Sequence, residues 1–166
     1  MGVRRSLVLG LLLASGCASH PAVAHGPGPT VAPTTVKPSP AKSRPAFALT
    51  AVRGSLKFTS ADGNLGCDIE SAYARCDPAH RNWPVPGQPS DCASGWGHGI
   101  ELQAGTKASF FCGSDSVAGG KRVLAAGRGF TDGFIECDAI SATTVHCHGT
   151  TDTHGFTISR ATYSLH

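Results

Sequence analysis

The chain has 166 residues and a formal net charge of +3, with 15% charged and 7% aromatic residues, 21 glycines, 11 prolines and 7 cysteines. The part from Ser55 onward holds all 11 acidic residues but only eight of the 14 Lys and Arg residues, which makes it mildly acidic. Because a nucleic-acid interface needs a concentrated basic face, this balance argues against nucleic acid as a partner.

The N-terminal residues have the layout of a bacterial export signal. Arg4 and Arg5 precede a short apolar run, and the small residues Ala14-Ser15-Gly16 come directly before Cys17. The triplet is similar to a lipobox, at which Cys17 receives a diacylglycerol and further acyl chains such as palmitate. We therefore predict a signal peptide over residues 1–16 and a lipid anchor on Cys17. An ordinary signal peptide is the alternative, and the arginine pair is also similar to a twin-arginine signal.

Residues 17–54 are rich in proline, alanine, threonine and serine. Such a composition cannot bury enough apolar surface to offset the entropy of ordering. We predict that this segment is a disordered tether between the lipidated Cys17 and a domain over residues 55–166. The chain is then exported and lies on the outer face of the cytoplasmic membrane or in the cell envelope, attached to the membrane through its lipid.

The domain contains an internal repeat and an even number of cysteines. Residues 58–76 and 130–147 both read Phe-Thr, Asp-Gly, an aliphatic residue, Cys-Asp, Ser-Ala and Cys. An even count in an exported domain of this size predicts three disulfides. If the two units pair equivalently, the bridges are Cys67–Cys76, Cys137–Cys147 and Cys92–Cys112. Bridges between the two units are the alternative.

The first unit predicts an antiparallel meander. Asp62-Gly63 favours a two-residue hairpin turn, which places Phe58 opposite Cys67, with Cys76 opposite Cys67 on the next strand. The apolar residues then share one face, and the other face carries charges that we expect at the surface: Lys57, Asp68 and Arg75.

Short alternating segments continue to the C-terminal residues, where a change of phase predicts a bulge near Ser159-Arg160. The fold is predicted to be all-β, a small disulfide-stapled antiparallel barrel or sandwich of about eight or nine strands built on a duplicated hairpin unit.

A spaced signature runs through the domain and ends in a specific stretch, Gly155-Phe156-x-Ile158-Ser159-Arg160-Ala161. Its other members are Phe58-Thr59-Ser60, Gly63-Asn64, Cys67, Cys76, Trp83, Cys92, Trp96-Gly97, Phe111-Cys112, Cys137, Cys147, His154 and Tyr163. The signature resembles an uncharacterised cysteine-rich domain family of secreted proteins and lipoproteins from mycobacteria and related actinobacteria. The resemblance implies a location and a disulfide scaffold, and it assigns no functional residue.

Three histidines near the C-terminal residues are candidate metal ligands. His146 and His148 flank Cys147, so they share the strand face opposite to that cysteine and can chelate zinc or copper. The third ligand is expected to be His154 or Asp152. Solvated surface histidines are the alternative interpretation.

Trp83 and Trp96 are candidate binding residues because aromatic faces in loops stack on glycan rings or contact protein partners. The alternative is that a loop tryptophan closes one end of the sheet structure. A catalytic triad from Ser114, Asp115 or Ser116 with His98 has little weight, since the chain has no nucleophile-elbow motif.

Together these patterns favour a lipid-anchored, extracytoplasmic and non-enzymatic module that binds or scaffolds another component of the bacterial cell envelope, either a protein or a glycan. No cofactor is expected. The alternative is a metal-binding envelope protein that uses its C-terminal histidine cluster.

Overall fold

The computed structural model of the protein describes residues 46–166. The predicted signal peptide, the lipidation site Cys17 and the predicted tether up to residue 45 lie outside the described residues. Within residues 46–166, no helix has the length and apolarity needed to cross a membrane.

The described chain forms two six-stranded sheets, and neither sheet closes into a barrel. The strands are β1 (Ala48–Ala51), β2 (Leu56–Ser60), β3 (Leu65–Glu70), β4 (Tyr73–Pro78), β5 (Trp96–Gln103), β6 (Ser109–Cys112), β7 (Arg122–Leu124), β8 (Arg128–Thr131), β9 (Ile135–Ser141), β10 (Thr144–Gly149), β11 (Gly155–Ser159) and β12 (Tyr163–Leu165). Sheet A has the order β1-β8-β9-β10-β11-β12, and sheet B has the order β6-β5-β4-β3-β2-β7. The predicted all-β sandwich is confirmed, with more strands than expected.

The two sheets are built from two structural repeats, β1 to β6 and β7 to β12. Most neighbouring strands are antiparallel, as predicted, but β1 pairs with β8 in parallel and β2 pairs with β7 in parallel. The first strand of each repeat therefore joins the sheet of the other repeat. Because of this exchange, each sheet is completed by a strand from the other half of the domain.

All three predicted disulfides are confirmed. The bridges are Cys67–Cys76 with an S–S distance of 2.06 Å, Cys92–Cys112 at 2.12 Å and Cys137–Cys147 at 2.08 Å. The first and third join directly opposed residues of adjacent strands at equivalent places in the two repeats. A local cross-strand bridge in each repeat follows from the equivalent pairing that the internal repeat predicts.

The predicted register of the first unit is confirmed, and the second unit repeats it. Phe58 lies opposite Cys67 on β3, and Phe130 lies opposite Cys137 on β9. The two phenylalanine rings meet in the buried core with their centroids 5.2 Å apart. The duplicated residues thus form the centre of the core, where the two repeats pack together.

Two features of the structure, the position of β1 and the turn after β11, differ from the sequence prediction. β1 (Ala48–Ala51) lies inside the predicted tether, residues 17–54, and all four of its residues are exposed, so no alternation marked it as a strand. The predicted bulge near Ser159-Arg160 is wrong, because this segment is the turn between β11 and β12. The Ser159 N–H donates to the Thr162 carbonyl at 2.9 Å, and the turn absorbs the change of phase.

The outer face of sheet B was expected to expose its charged side chains to solvent, but Arg75 on this face is covered. Arg75 is only 2% exposed, because Phe111 covers it and the segment after β6 brings Asp115 over it. Its guanidinium makes two 2.8 Å hydrogen bonds to the Asp77 carboxylate and a 3.0 Å contact with the Asp115 carboxylate. Burial by itself lowers the pKa of Arg75, but the hydrogen bonds and charge of Asp77 outweigh it and raise the pKa overall. Arg75 is therefore a buried structural cation.

Candidate metal centre

The outer face of sheet A carries a cluster of imidazole and carboxylate groups. His146 and His148 alternate with the buried Cys147 on β10, so both side chains lie on the face away from the core. Their rings are neighbours, with centroids 4.7 Å apart. Asp138, on the adjacent strand β9, lies directly opposite His146. The alternation of the strand thus brings these groups together on one surface.

Asp138 orients His146. Its carboxylate is completely buried, and Oδ1 lies 3.3 Å from Nδ1 of His146. A carboxylate at one ring nitrogen of a histidine fixes the tautomer and leaves the other nitrogen free to bind a metal. A carboxylate in a buried position also favours a cation beside it, because an isolated buried charge is costly. Asp138 therefore directs Nε2 of His146 toward the rest of the cluster.

His166 joins the cluster from the far side of β11. It lies opposite Gly155, and the backbones of the two residues exchange hydrogen bonds of 2.8 Å and 2.9 Å. A Cβ atom at Gly155 would lie 2.9 Å from the Cβ of His148 and 2.9 Å from Nε2 of His166. Gly155 thus leaves the space in which the side chains on either side of β11 approach one another.

The resulting spacing is close to that of a metal site. Nε2 of His146 and Nε2 of His166 are hydrogen-bonded at 3.3 Å, and one ligand atom from each of Asp138, His146 and His148 lies within 4.8 Å of the others. Zinc bonds of about 2.0–2.1 Å in tetrahedral geometry place neighbouring ligand atoms roughly 3.3–3.5 Å apart. We call these four residues the His–Asp cluster. Its donor set suits zinc or copper, which favour imidazole ligands.

Two of the four residues in this cluster were predicted from the sequence. His146 and His148 belong to it, whereas His154 and Asp152 form the turn between β10 and β11, where the His154 N–H donates to the Asp152 carboxylate at 2.7 Å. The residues that join the cluster instead are Asp138 and His166. Asp138 could have been found by pairing the repeated Cys-Asp with the His-Cys-His strand. His166 could not, because its position depends on the turn after β11.

The first repeat shows what the same positions do in sheet B. Asp68 and Arg75 are opposed on β3 and β4, as Asp138 and His146 are on β9 and β10. Arg75-Cys-Asp77 therefore corresponds to His146-Cys-His148. A Cβ at Gly99 would overlap the Asp77 carboxylate, just as one at Gly155 would crowd its neighbours. At the place where sheet B holds the guanidinium of its own Arg75, sheet A presents imidazoles.

The remaining candidate residues lie elsewhere. Trp83 is 8% exposed and packs in the core against Tyr163, with its indole N–H donating to the Ser159 carbonyl at 2.9 Å. Trp96 is partly exposed beside a surface groove. Asp115, the carboxylate considered for a triad, is bound to Arg75. Of the two tryptophans, only Trp96 has the access that stacking on a ligand requires.

Comparison of the chain with family models, with curated proteins and with solved structures found no match.

Proposed function

We propose that this chain is a lipid-anchored, non-enzymatic binding module of the bacterial cell envelope, and that its ligand is a transition-metal ion, Zn²⁺ or Cu²⁺, held by the His–Asp cluster. His146, His148 and His166 supply ring nitrogens, and Asp138 orients His146 and compensates the charge of the ion. The observation that carries the proposal is the 3.3 Å separation of the two Nε2 atoms beside a completely buried carboxylate.

The comparison between the repeats supports a cation as the ligand. In sheet B the corresponding surface position is filled by the guanidinium of Arg75, held by carboxylates. In sheet A the arginine is replaced by a histidine and the following acidic residue by another histidine. Histidine is the commonest protein ligand for transition metals. An exogenous ion at the His–Asp cluster would restore the positive charge that the chain itself provides in sheet B.

The proposed location rests on the sequence and on the disulfides. Three cystines fit an oxidising compartment, and disulfides of this kind are rare in the cytosol. The lipobox-like triplet before Cys17 and the resemblance to exported actinobacterial domains agree with this location. A lipid anchor and a proline-rich tether would hold the binding module outside the membrane. A second candidate function, binding of an envelope glycan or protein, is favoured by the surface groove beside Trp96.

The test is titration of the untagged, full-length protein with zinc and, separately, with copper after removal of metals by a chelator. We expect one tight equivalent by calorimetry and a metal-dependent rise in the melting temperature, because a ligand that binds only the folded state stabilises it. Acidification should weaken binding, since the imidazoles must be deprotonated to bind metal.

Matched histidine variants locate the ion. His146→Gln and His148→Gln should each abolish tight binding, whereas His154→Gln should retain it, because His154 lies outside the His–Asp cluster. Circular dichroism before and after reduction would show that each variant is folded with its disulfides intact. No metal-dependent stabilisation of the native chain, or equal affinity in His146→Gln and His154→Gln, would refute the proposal.

A further inference from the structure

The two repeats differ in one connection. In repeat 2, β10 and β11 are joined by the short segment 150–154, whereas in repeat 1 the equivalent strands β4 and β5 are joined by residues 79–95. The Cys92–Cys112 disulfide fastens this longer segment to β6, and the described part of repeat 2 has no corresponding bridge. Long connections within small domains are usually functional, and this one is held in place covalently.

The longer connection forms one wall of a groove. Asp91 and Cys92 of this connection line the groove together with residues of β5 and β6: Trp96, Glu101, Phe110 and Cys112. The groove has a volume of about 330 Å³, which is within the range of roughly 300–1,000 Å³ that is typical of small-molecule sites. An adjoining depression of about 220 Å³ shares Glu101 and Ser109 with it.

The aromatic wall of the groove is fixed in orientation. The indole N–H of Trp96 donates to the Pro86 carbonyl at 2.8 Å, and the Trp96 ring packs against Phe110 with centroids 5.7 Å apart. A hydrogen bond at the indole nitrogen and packing against a second ring hold the side chain in place before a ligand arrives. Preorganisation of this kind favours binding because less entropy is lost.

The polar side of the groove is also preorganised. The Tyr73 hydroxyl donates to Glu101 Oε2 at 2.9 Å, and the Ser109 hydroxyl lies 3.5 Å from Oε1 of the same carboxylate. Burial and, to a smaller extent, this hydrogen bond raise the pKa of the Tyr73 phenol above its ordinary value. Glu101 and the exposed Asp91 present carboxylate acceptors, and Lys107 lies in the adjoining depression.

We infer that this groove is a binding site for an oligosaccharide without acidic groups, with one sugar ring against Trp96 and hydroxyl or amino groups hydrogen-bonded to Asp91 and Glu101. An aromatic face next to acceptor carboxylates matches the apolar face and the donor edge of a pyranose ring. Asp91 and Glu101 together outweigh the single cation Lys107, so the charge of this surface disfavours uronic acids and other anionic glycans. The adjoining depression provides room beside the groove, which fits a chain of sugars better than a single ring.

The test uses the full-length protein in a chelator, so that the result does not depend on metal binding. Calorimetric titrations would use four probes: cellotetraose, chitotetraose, its de-acetylated form and tetragalacturonate. We expect saturable binding of at least one of the first three and none of tetragalacturonate. Trp96→Ala should weaken that binding by roughly tenfold or more, the scale of a lost aromatic contact.

Two further variants keep the result interpretable if Trp96→Ala is unstable. Asp91→Ala changes an exposed loop residue and should weaken binding with little effect on folding. Phe134→Ala removes an aromatic ring that is 61% exposed outside the groove, so it should leave the affinity unchanged. Failure of all four probes to bind, preferential binding of tetragalacturonate, or equal affinities in Asp91→Ala and Phe134→Ala would overturn the inference.

Discussion

Equivalent aspartates in the two repeats have different partners on the outer faces of the two sheets. Asp68 and Asp138 both follow a disulfide cysteine, and both point away from the core. Asp68 accepts a 3.0 Å hydrogen bond from the Ser55 hydroxyl, whereas Asp138 contacts the ring of His146. The aspartate at this position thus accepts a local hydrogen bond in repeat 1, and its equivalent in repeat 2 orients a histidine of the His–Asp cluster.

Replacement of Asp138 by asparagine should weaken zinc binding by about 10–100-fold, the usual effect of losing a carboxylate that orients a metal-binding histidine. Asp68→Asn is the matched control and should leave the affinity unchanged. Competition with a fluorescent zinc chelator would measure both. An Asp138→Asn variant with native affinity would show that this carboxylate does not take part in binding.

Loss of the Arg75 side chain should lower the free energy of unfolding. Arg75→Met leaves the buried Asp77 carboxylate without its bidentate partner, and breaking a buried ion pair in this way costs about 3–5 kcal/mol. The exposed Arg160→Met should change stability by less than about 0.5 kcal/mol. Urea unfolding with intact disulfides compares the two. Similar unfolding midpoints would mean that the Arg75 pair contributes little.

At the scale of elements, the β3–β4 turn stores backbone strain. Ser71 and Ala72 have φ values of 45° and 66°, in the left-handed region that favours glycine. The Ala72 N–H donates to the Asp132 carboxylate at 2.7 Å, so the turn of repeat 1 is bound to the β8–β9 turn of repeat 2. Ala72, which makes this hydrogen bond between the repeats, thus has a backbone conformation that costs free energy for alanine.

Ala72→Gly should therefore raise the free energy of unfolding by about 0.5–1 kcal/mol, because relief of left-handed strain exceeds the entropy that glycine adds to the unfolded chain. Ala126→Gly, at an exposed turn position without a positive φ, should lower it by up to about 1 kcal/mol. Thermal unfolding of the two variants checks the sign. Destabilisation by Ala72→Gly would contradict the proposed strain.

The elements also show what the sequence could predict. The register of β2, β3 and β4 followed from an Asp-Gly turn and a period of two, both of which are local signals. β1 and β7 were missed because each is a short strand whose parallel partner lies far away in the chain. His146 and His148 followed from strand alternation. Asp138 and His166 required the register between strands, and Arg75 required the path of the segment after β6.

At the scale of the whole molecule, duplication gives the domain two different outer surfaces. The core keeps the repeat: the equivalent phenylalanines Phe58 and Phe130 contact each other, and the equivalent cystines are buried in both repeats. The outer faces have diverged: sheet B is closed over Arg75, and sheet A carries the His–Asp cluster. The longer connection in repeat 1 adds the Trp96 groove. The two proposed sites therefore lie on the surfaces in which the repeats differ, and the interior is common to both repeats.

The proposed lipid on Cys17 would attach the entire chain to the membrane. Cys17 is the one cysteine outside the three disulfides. If it carries the proposed lipid, Cys17→Ala should move the protein from the detergent phase to the aqueous phase in a phase-separation experiment. The reason is that two or three acyl chains are enough for stable membrane attachment. Metal affinity should be unaffected by this change. Equal detergent partitioning of the two forms would contradict lipidation at Cys17.

The most direct measurement of the central claim is anomalous diffraction from crystals of the protein grown with zinc, with data collected on both sides of the zinc absorption edge. If the His–Asp cluster holds zinc, one strong peak lies on the outer face of sheet A, about 2.0–2.1 Å from ring nitrogens of His146, His148 and His166. A peak only at His154 or another surface histidine, or none on that face, would contradict it.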